Sequence, residues 1–221
     1  MAVPTPTILA DGTEEVRGSK MILRFSGKRC IHARQCVLRA PDVFKANVQG
    51  PWIDPDAMDV DDLAAIAHDC PSGAISYERL DGRPNEKMPP VNLAQVRENG
   101  PIALHAEIQM NGTAAGTRAT LCRCGMSANK PFCDGSHVAA GFSASGEPAT
   151  KESAVLAKRN GPVNIQPVPD GPLKLSGPLE LTSGTGRTIN RVETAFLCRC
   201  GQSKNKPYCD GSHKAAGFTA P

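Results

Sequence analysis

Residues 121–144 read LCRCGMSANKPFCDGSHVAAGFSA, and residues 197–220 read LCRCGQSKNKPYCDGSHKAAGFTA. The two stretches are identical at 19 of 24 positions and lie 76 residues apart, so the chain contains an internal duplication. The tripeptide Asn-Gly-Pro precedes both copies, at 99–101 and 160–162, with its Asn 23 residues before the first motif cysteine in one copy and 38 in the other. This difference predicts an insertion of about 15 residues in the second repeat.

Each repeat has the pattern of a small β-rich unit that ends in a short helix. In the first repeat, the segments 102–110 and 118–123 are predicted strands, and Asn111-Gly112 between them favours a hairpin turn. A helix is expected over 136–140, with Asp134 as its N-cap and Gly141 in the left-handed conformation at its end. The loop 183–187 (SGTGR) of the second repeat is interpreted as the matching hairpin and not as a phosphate-binding loop.

The nine cysteines fall in three sets of three, two of which lie in the repeats. An odd number of cysteines argues against a disulfide framework and for metal ligation. Residues i and i+2 of an extended segment point to one face, so Cys122 and Cys124 can offer two thiolates to one metal. Cys133 and His137 lie four apart across a helix start and can bind a second metal. Two irons bridged by sulfides match this division, while a single structural zinc bound by three Cys and one His remains the alternative.

Both repeats resemble the CDGSH iron-sulfur domain family, to which the NEET proteins of the mitochondrial outer membrane belong. The resemblance implies one 2Fe-2S cluster per repeat, held by three cysteines and one histidine on a β-rich fold that pairs about a two-fold axis. Carried onto this chain, the ligands are Cys122, Cys124, Cys133 and His137 in the first repeat and Cys198, Cys200, Cys209 and His213 in the second. Because both copies lie in one polypeptide, we expect an intramolecular pseudo-two-fold pair and a monomeric chain.

The third cysteine set has a different pattern. Residues 29–36 (RCIHARQC) and Cys70-Pro71 resemble the cysteine spacing of single-cluster bacterial ferredoxins, with Ala33 at the position of the middle cysteine. The ligands implied are Cys30, Cys36 and Cys70. Three thiolates favour a 3Fe-4S cluster. A 4Fe-4S cluster with water or His32 at the fourth corner is the alternative, and a ferredoxin-like fold without a cluster is a third possibility.

Local patterns indicate an α+β unit at the N-terminal end. Strands are expected over 21–25 and 74–77, and helices over 33–39 and 61–69, the second with Asp59 as N-cap. The predicted fold class is therefore α+β: a ferredoxin-like domain (1–82), a first CDGSH domain (91–145) and a second CDGSH domain (153–221).

Charge and composition limit the function. Residues 1–80 carry 9 Lys/Arg and 11 Asp/Glu, whereas 81–221 carry 16 and 11. Excess positive charge beside thiolates is interpreted as compensation for an anionic cluster, and the shortage of aromatic residues argues against nucleic-acid binding. The first 20 residues lack a secretory signal pattern, and no apolar run reaches about 18 residues, so a cytoplasmic protein without membrane attachment is expected.

The resulting hypothesis is an iron-sulfur protein, not an enzyme, with no catalytic residues. It would act in one-electron transfer, or in storage and delivery of labile 2Fe-2S clusters, with a redox donor or acceptor or an apo iron-sulfur protein as its partner. Two alternatives remain: a redox component of an enzyme whose catalytic subunit is another chain, and a structural zinc-binding interaction module.

Overall fold

The computed structural model describes residues 3–221, which divide into a unit ending at Lys87 and a unit of Met88–Pro221. Both helices and strands are present, as the α+β prediction requires. Within the described residues, no helix has the length and apolar character needed to cross a bilayer.

The first unit, here called the N-terminal unit, is built on one antiparallel sheet. Its strands follow the chain in the order β1, β2, β3 and β4. Two helices complete it, with a single 3-10 turn at Gly27–Arg29 between β3 and the first helix. The elements are β1 (Thr7–Ile8), β2 (Glu14–Arg17), β3 (Met21–Phe25), α1 (Gln35–Arg39), α2 (Val60–His68) and β4 (Ile75–Arg79).

Helix α2 confirms the predicted helix and its cap. The Asp59 carboxylate accepts a hydrogen bond from the Asp61 backbone N–H at 2.9 Å, which satisfies one of the free donors of the first turn. The helix buries one apolar face against the sheet, through Val60, Leu63, Ala64, Ile66 and Ala67. Burying these side chains is the main stabilisation of a helix of only nine residues.

Helix α1 is shorter than predicted. It begins at Gln35, because His32 (φ 54°) and Arg34 (φ 62°) both adopt left-handed backbone conformations that cannot continue a helix. The residues between Cys30 and Cys36 therefore form a tight loop and not the first turn of a helix.

The second unit, here called the tandem unit, contains both repeats in one sheet. Strands β7, β10, β11, β5, β6 and β9 lie in that order, with β8 beside β7, and β12 also pairs with β11. The elements are β5 (Leu93–Val96), β6 (Ile102–His105), β7 (Glu107–Met110), β8 (Thr113–Ala114), β9 (Arg118–Leu121), α3 (Ser136–Ala139), β10 (Pro162–Pro167), β11 (Leu173–Thr182), β12 (Thr188–Leu197) and α4 (Ser212–Ala215).

Each repeat pairs one of its strands with a strand of the other repeat, while that strand also stays paired within its own repeat. Strand β5 of the first repeat pairs in parallel with β11 of the second, and β10 of the second pairs in parallel with β7 of the first. Alternate side chains of these strands form one continuous buried core, which includes Val96, Ile102, Val163, Leu175 and Leu197. The repeats therefore share a hydrophobic core.

Both predicted hairpins are confirmed. Asn111 (φ 50°) and Gly112 (φ 83°) form the two-residue turn between β7 and β8, and both left-handed conformations suit these residue types. The Ser183 N–H donates to the Arg187 carbonyl oxygen at 2.8 Å across the tip between β11 and β12.

The predicted anchor of the second repeat is wrong. The turn at Asn99 (φ 47°), whose N–H donates to the Ala144 carbonyl oxygen, is matched by Asp170 (φ 51°), whose N–H donates to the Ala220 carbonyl oxygen. Asp-Gly-Pro at 170–172 is thus the counterpart of Asn-Gly-Pro at 99–101, since Asn and Asp both tolerate positive φ. Asp170 lies 28 residues before Cys198, so the insertion is about one third of the predicted length and lies in the β11–β12 hairpin.

Candidate iron-sulfur sites

Cys122 and Cys124 directly follow strand β9 and are both buried. Their sulfur atoms lie 3.8 Å apart. A tetrahedral metal with metal–sulfur bonds of about 2.3 Å separates two thiolates by about 3.8 Å. The pair is therefore spaced to bind one metal.

Cys133 is brought to this pair by an isolated β-bridge. Leu121 pairs with Phe132, the Cys122 N–H donates to the Pro131 carbonyl oxygen, and the Cys133 N–H donates to the Thr120 carbonyl oxygen, each at 2.8 Å. The intervening loop is closed by Ser127, whose hydroxyl donates to the Phe132 carbonyl oxygen at 2.6 Å.

His137 lies in α3, one helical turn after Cys133. Its Nδ1 atom is 3.4 Å from the Cys133 sulfur, close to the separation of about 3.5 Å that a thiolate and an imidazole have on one tetrahedral metal. The N-cap is Gly135 (φ 88°) and not the predicted Asp134, whose carboxylate instead accepts from the Ser136 and Ala128 N–H groups. Gly141 has the expected left-handed conformation (φ 61°).

The second repeat reproduces this geometry. The Cys198 and Cys200 sulfurs lie 3.6 Å apart, and the Cys209 sulfur lies 3.4 Å from His213 Nδ1. A bridge between Leu197 and Tyr208 brings the two pairs together. Across residues 3–221, no three His, Cys, Asp or Glu side chains form a group that could hold a single metal ion, so pairs of ligands are what the structure shows.

Backbone N–H groups point at the ligand sulfurs. Met126 and Gly135 donate to Cys124 and Cys133 in the first repeat, and Gln202 and Gly211 donate to Cys200 and Cys209 in the second, all at 3.4 Å. Such donors stabilise a thiolate or a cluster sulfur. The chain therefore supplies favourable dipoles where negative charge is expected.

The paired thiols have unequal affinities for protons. The hydrogen bond from Cys124, assisted by backbone N–H groups, lowers the pKa of Cys122 to about 6, whereas the same bond and burial raise the pKa of Cys124. Burial also raises the pKa of Cys133 to about 11 and lowers the pKa of His137. The imidazole is thus favoured in its neutral, metal-binding form. The buried thiols must lose their protons when a metal binds.

In the N-terminal unit, Cys30, Cys36 and Cys70 line a small cavity that is partly open to solvent. Ala33 lines it too, at the position of the absent fourth cysteine, and the remaining walls are mostly apolar. Burial raises the pKa of Cys30 and Cys36, with a further contribution from the neighbouring Cys70 thiol. The donor set therefore fits a group that binds three thiolates and leaves one side of the cavity without a protein ligand.

His32 is placed differently from the three cysteines. It is not among the cavity-lining residues, and its backbone N–H donates to the Cys30 sulfur at 3.4 Å. A feature that sequence reasoning missed is Ser72, whose hydroxyl lies 3.7 Å from the Cys70 sulfur and accepts from the Ala74 N–H.

Two family models match parts of this chain. The family described as "Iron-binding zinc finger CDGSH type" matches residues 96–138 and 170–214, and "Divergent 4Fe-4S mono-cluster" matches 16–80. Two regions of the chain therefore belong to the CDGSH family. The chain combines two CDGSH domains with an N-terminal divergent single-cluster domain, as the sequence resemblance implied.

Two curated relatives match parts of this chain. The "Uncharacterized protein YjdI" of Escherichia coli (strain K12) is 33% identical over 70 residues, which cover 32% of this chain and 91% of the relative. "CDGSH iron-sulfur domain-containing protein 1" of Mus musculus is 33% identical over 66 residues, which cover 30% of this chain and 57% of the relative.

A buried arginine lies between the first two cysteines of each CDGSH domain. Arg123 donates to the carbonyl oxygens of Gly100, Ser145, Arg97 and Ala144 at 2.5 to 2.9 Å, and its guanidinium packs 5.3 Å from the Phe142 ring centroid. Arg199 donates to the Gly171, Val168 and Pro221 carbonyl oxygens. Each guanidinium thus forms hydrogen bonds both to the turn before its motif and to the chain that follows the short helix.

These arginines also link the two sites electrostatically. Arg123 is attracted to Cys198 as well as to Cys124, and Arg199 is attracted to Cys122. The positive charge in each repeat therefore acts on a ligand of the other.

Proposed function

We propose that this protein carries single electrons on three iron-sulfur clusters: two 2Fe-2S clusters in the tandem unit and one 3Fe-4S cluster in the N-terminal unit. The observation that carries the proposal is the spacing of a Cys–Cys pair and a Cys–His pair in each repeat, which suits two tetrahedral metals. The ligands would be Cys122, Cys124, Cys133 and His137; Cys198, Cys200, Cys209 and His213; and Cys30, Cys36 and Cys70.

Such a cluster, when bound, takes up and releases one electron at a time. The residues of the chain hold it by two pairs, direct N–H dipoles at its ligands and keep Cys122 and Cys124 away from water. A neutral imidazole in place of one thiolate makes the site one unit less negative than a four-cysteine site. The absence of disulfides within residues 3–221 also favours a reducing compartment, the cytoplasm.

The deciding experiment is iron, zinc and acid-labile sulfide analysis of anaerobically purified protein, combined with visible and electron paramagnetic resonance spectra. We expect iron and sulfide in equal amounts in the tandem unit and the resonance of an oxidised 3Fe-4S centre from the N-terminal unit. Zinc without sulfide would instead establish a structural zinc module.

Cluster delivery is a second candidate function, favoured by the position of the histidines. His137 and His213 lie in four-residue helices and are partly exposed, whereas Cys122, Cys124, Cys198 and Cys200 are buried. A neutral ligand that solvent can reach is the ligand at which the chain can most readily let go of a cluster. Transfer of the 2Fe-2S absorbance to an apo-ferredoxin would support delivery, while reversible reduction without transfer would support electron carriage alone.

We also propose that the tandem unit is a pseudo-two-fold pair that leaves the chain monomeric, and that the N-terminal unit is ferredoxin-like. This arrangement is supported by the pairing of β5 with β11 and of β10 with β7, which joins the two repeats in both directions. Since each repeat has its partner in the same chain, no second chain is required. Light scattering at micromolar concentration should give the mass of one chain, and a dimer mass would contradict the proposal.

The position of Ala33 in the cavity wall, where a fourth cysteine is absent, predicts the effect of Ala33→Cys. A thiol at position 33 is placed at the cavity wall beside the three proposed ligands, so it should convert a 3Fe-4S centre into a 4Fe-4S centre. The 3Fe-4S resonance of the oxidised protein should disappear, and a resonance of a reduced 4Fe-4S centre should appear. Ala57→Cys is the matched control, because Ala57 is exposed and outside the cavity lining. A 3Fe-4S signal unchanged in both variants would contradict the assignment of the corner.

A further inference from the structure

The two cluster motifs differ at only five positions. At three of these, an exposed apolar side chain of the first repeat is replaced by a polar or cationic one in the second. The first repeat has Met126, Ala128 and Val138, here called the first-site rim. The second has Gln202, Lys204 and Lys214, here called the second-site rim. Met126 is 60% exposed and Val138 76% exposed, and all six side chains face solvent. One rim is apolar and uncharged, and the other is polar and cationic.

Each rim position lies next to a proposed ligand or contacts a residue adjacent to one. The N–H groups of Met126 and Gln202 donate to the Cys124 and Cys200 sulfurs. The N–H groups of Ala128 and Lys204 donate to the carboxylates that follow Cys133 and Cys209. Val138 and Lys214 come directly after the histidines. A partner that approaches either cluster from the histidine side would therefore meet the rim.

The charge of the second-site rim is available to a partner. Within residues 3–221, the ammonium groups of Lys204 and Lys214 form no ion pair. A third cation lies nearby, since Lys151 places its Nζ atom 3.7 Å from the centroid of the Tyr208 ring, next to Cys209. The charges that both repeats share, such as Lys130 and Lys206 with their bonds to the Ser127 and Ser203 carbonyl oxygens, do not distinguish the sites.

We propose that the second-site rim is the docking surface for an acidic electron-carrier protein, and that the first-site rim does not bind this partner. The argument is charge complementarity: unpaired lysines around one redox centre attract and orient a carboxylate-rich surface, and the duplicated centre lacks them. The proposal rests on the proposed function, because it assigns a partner to the second cluster. In the exchange, one electron leaves the reduced carrier and reduces one ferric iron of the site held by Cys198, Cys200, Cys209 and His213.

The duplication provides matched variants for a binding test. Lys204→Ala with Lys214→Val gives the second rim the residues of the first at two positions, and Ala128→Lys with Val138→Lys does the reverse. A plant-type ferredoxin with an acidic surface serves as the probe in calorimetric titrations of the loaded protein at about 10 mM and about 1 M salt, where the Debye length falls from about 30 to about 3 Å.

We expect one probe molecule to bind per chain at low salt and none at high salt. The lysine-removing variant should bind about tenfold more weakly, and the lysine-adding variant should bind two probe molecules. Equal affinity of the parent and the lysine-removing variant would overturn the proposal, and so would binding of double-stranded DNA or anionic lipid vesicles without binding of the ferredoxin.

A kinetic measurement separates this inference from the proposed function. The variants Cys133→Ser and Cys209→Ser should each hold a single CDGSH cluster, and each is reduced and then oxidised by ferricyanide, which takes one electron and becomes ferrocyanide. We expect the second cluster, in Cys133→Ser, to react several-fold faster with this anion at low salt, and the first cluster to react faster with the cation tris(phenanthroline)cobalt(III). Retention of both clusters by either variant would refute the proposed ligands. Equal rates with each cluster present would refute only the asymmetry of the rims.

Discussion

Replacing Cys133 with serine is expected to remove the first CDGSH cluster and leave the second in place. Cys133 and His137 Nδ1 are the two proposed protein ligands of one iron, and the Gly135 N–H donates to the Cys133 sulfur. A hydroxyl is neutral at physiological pH and is a much weaker ligand for iron than a soft thiolate. The tandem unit should therefore lose half of its iron and half of its visible absorbance.

The second repeat provides the control for this experiment. Cys209 occupies the equivalent position, with its sulfur 3.4 Å from His213 Nδ1, so Cys209→Ser should cause the same loss at the other site. Combining both substitutions should leave only the iron of the N-terminal unit. Retention of all iron by either single variant would contradict the division into two sites.

The Cys–Cys and Cys–His pairs of each CDGSH domain could be predicted because each lies in a short, local stretch of sequence. Cys122 and Cys124 share a face of an extended segment, and Cys133 and His137 are one helical turn apart, so the pairs follow from backbone geometry alone. The hairpin at Asn111-Gly112 and the cap at Asp59 are local in the same sense. Patterns of this kind need no knowledge of distant chain segments.

The strand pairing between the two repeats could not be predicted in this way. The pairing of β10 with β7 joins residues more than fifty positions apart, and it depends on which buried faces meet. The same limitation explains the wrong anchor. Asn-Gly-Pro at 160–162 repeats the letters of 99–101, but only Asp170 repeats the hydrogen bond to the chain after the short helix.

The role of the buried arginines was recognised only in part. Their charge next to the thiolates suggested compensation for the cluster, but Arg123 is bonded to four carbonyl oxygens from two separate segments. Successive side chains of an extended segment point to opposite faces. If Cys122 and Cys124 point to the metal, the sequence therefore indicates that Arg123 points away from it. Which carbonyl oxygens it meets there depends on the tertiary fold.

Gly125→Ala should destabilise the tandem unit far more than an alanine at an open glycine with the same backbone conformation. Gly125 has φ 84°, and a Cβ atom there would lie 2.5 Å from the Cys200 carbonyl oxygen; Gly201 approaches the Cys124 carbonyl oxygen in the same way, at 2.3 Å. The obstacle is backbone, which cannot rotate aside as a flexible side chain can. Gly112 has φ 83° in the same repeat, but nothing lies within 4 Å of its Cβ position.

Comparing these two variants isolates the contact between the repeats. Gly112→Ala carries only the left-handed strain of about 1 to 2 kcal/mol. Gly125→Ala adds an overpacking cost of about 1 to 3 kcal/mol, and its thermal midpoint should fall by roughly twice as many degrees. Thermal unfolding of the loaded protein, followed by far-ultraviolet circular dichroism, measures both. Because the clash falls on the backbone of Cys200, Gly125→Ala should also disturb the visible spectrum of the second cluster, which Gly112→Ala should leave unchanged. Equal midpoints and unchanged spectra in both variants would mean that the two ligand loops do not pack against each other.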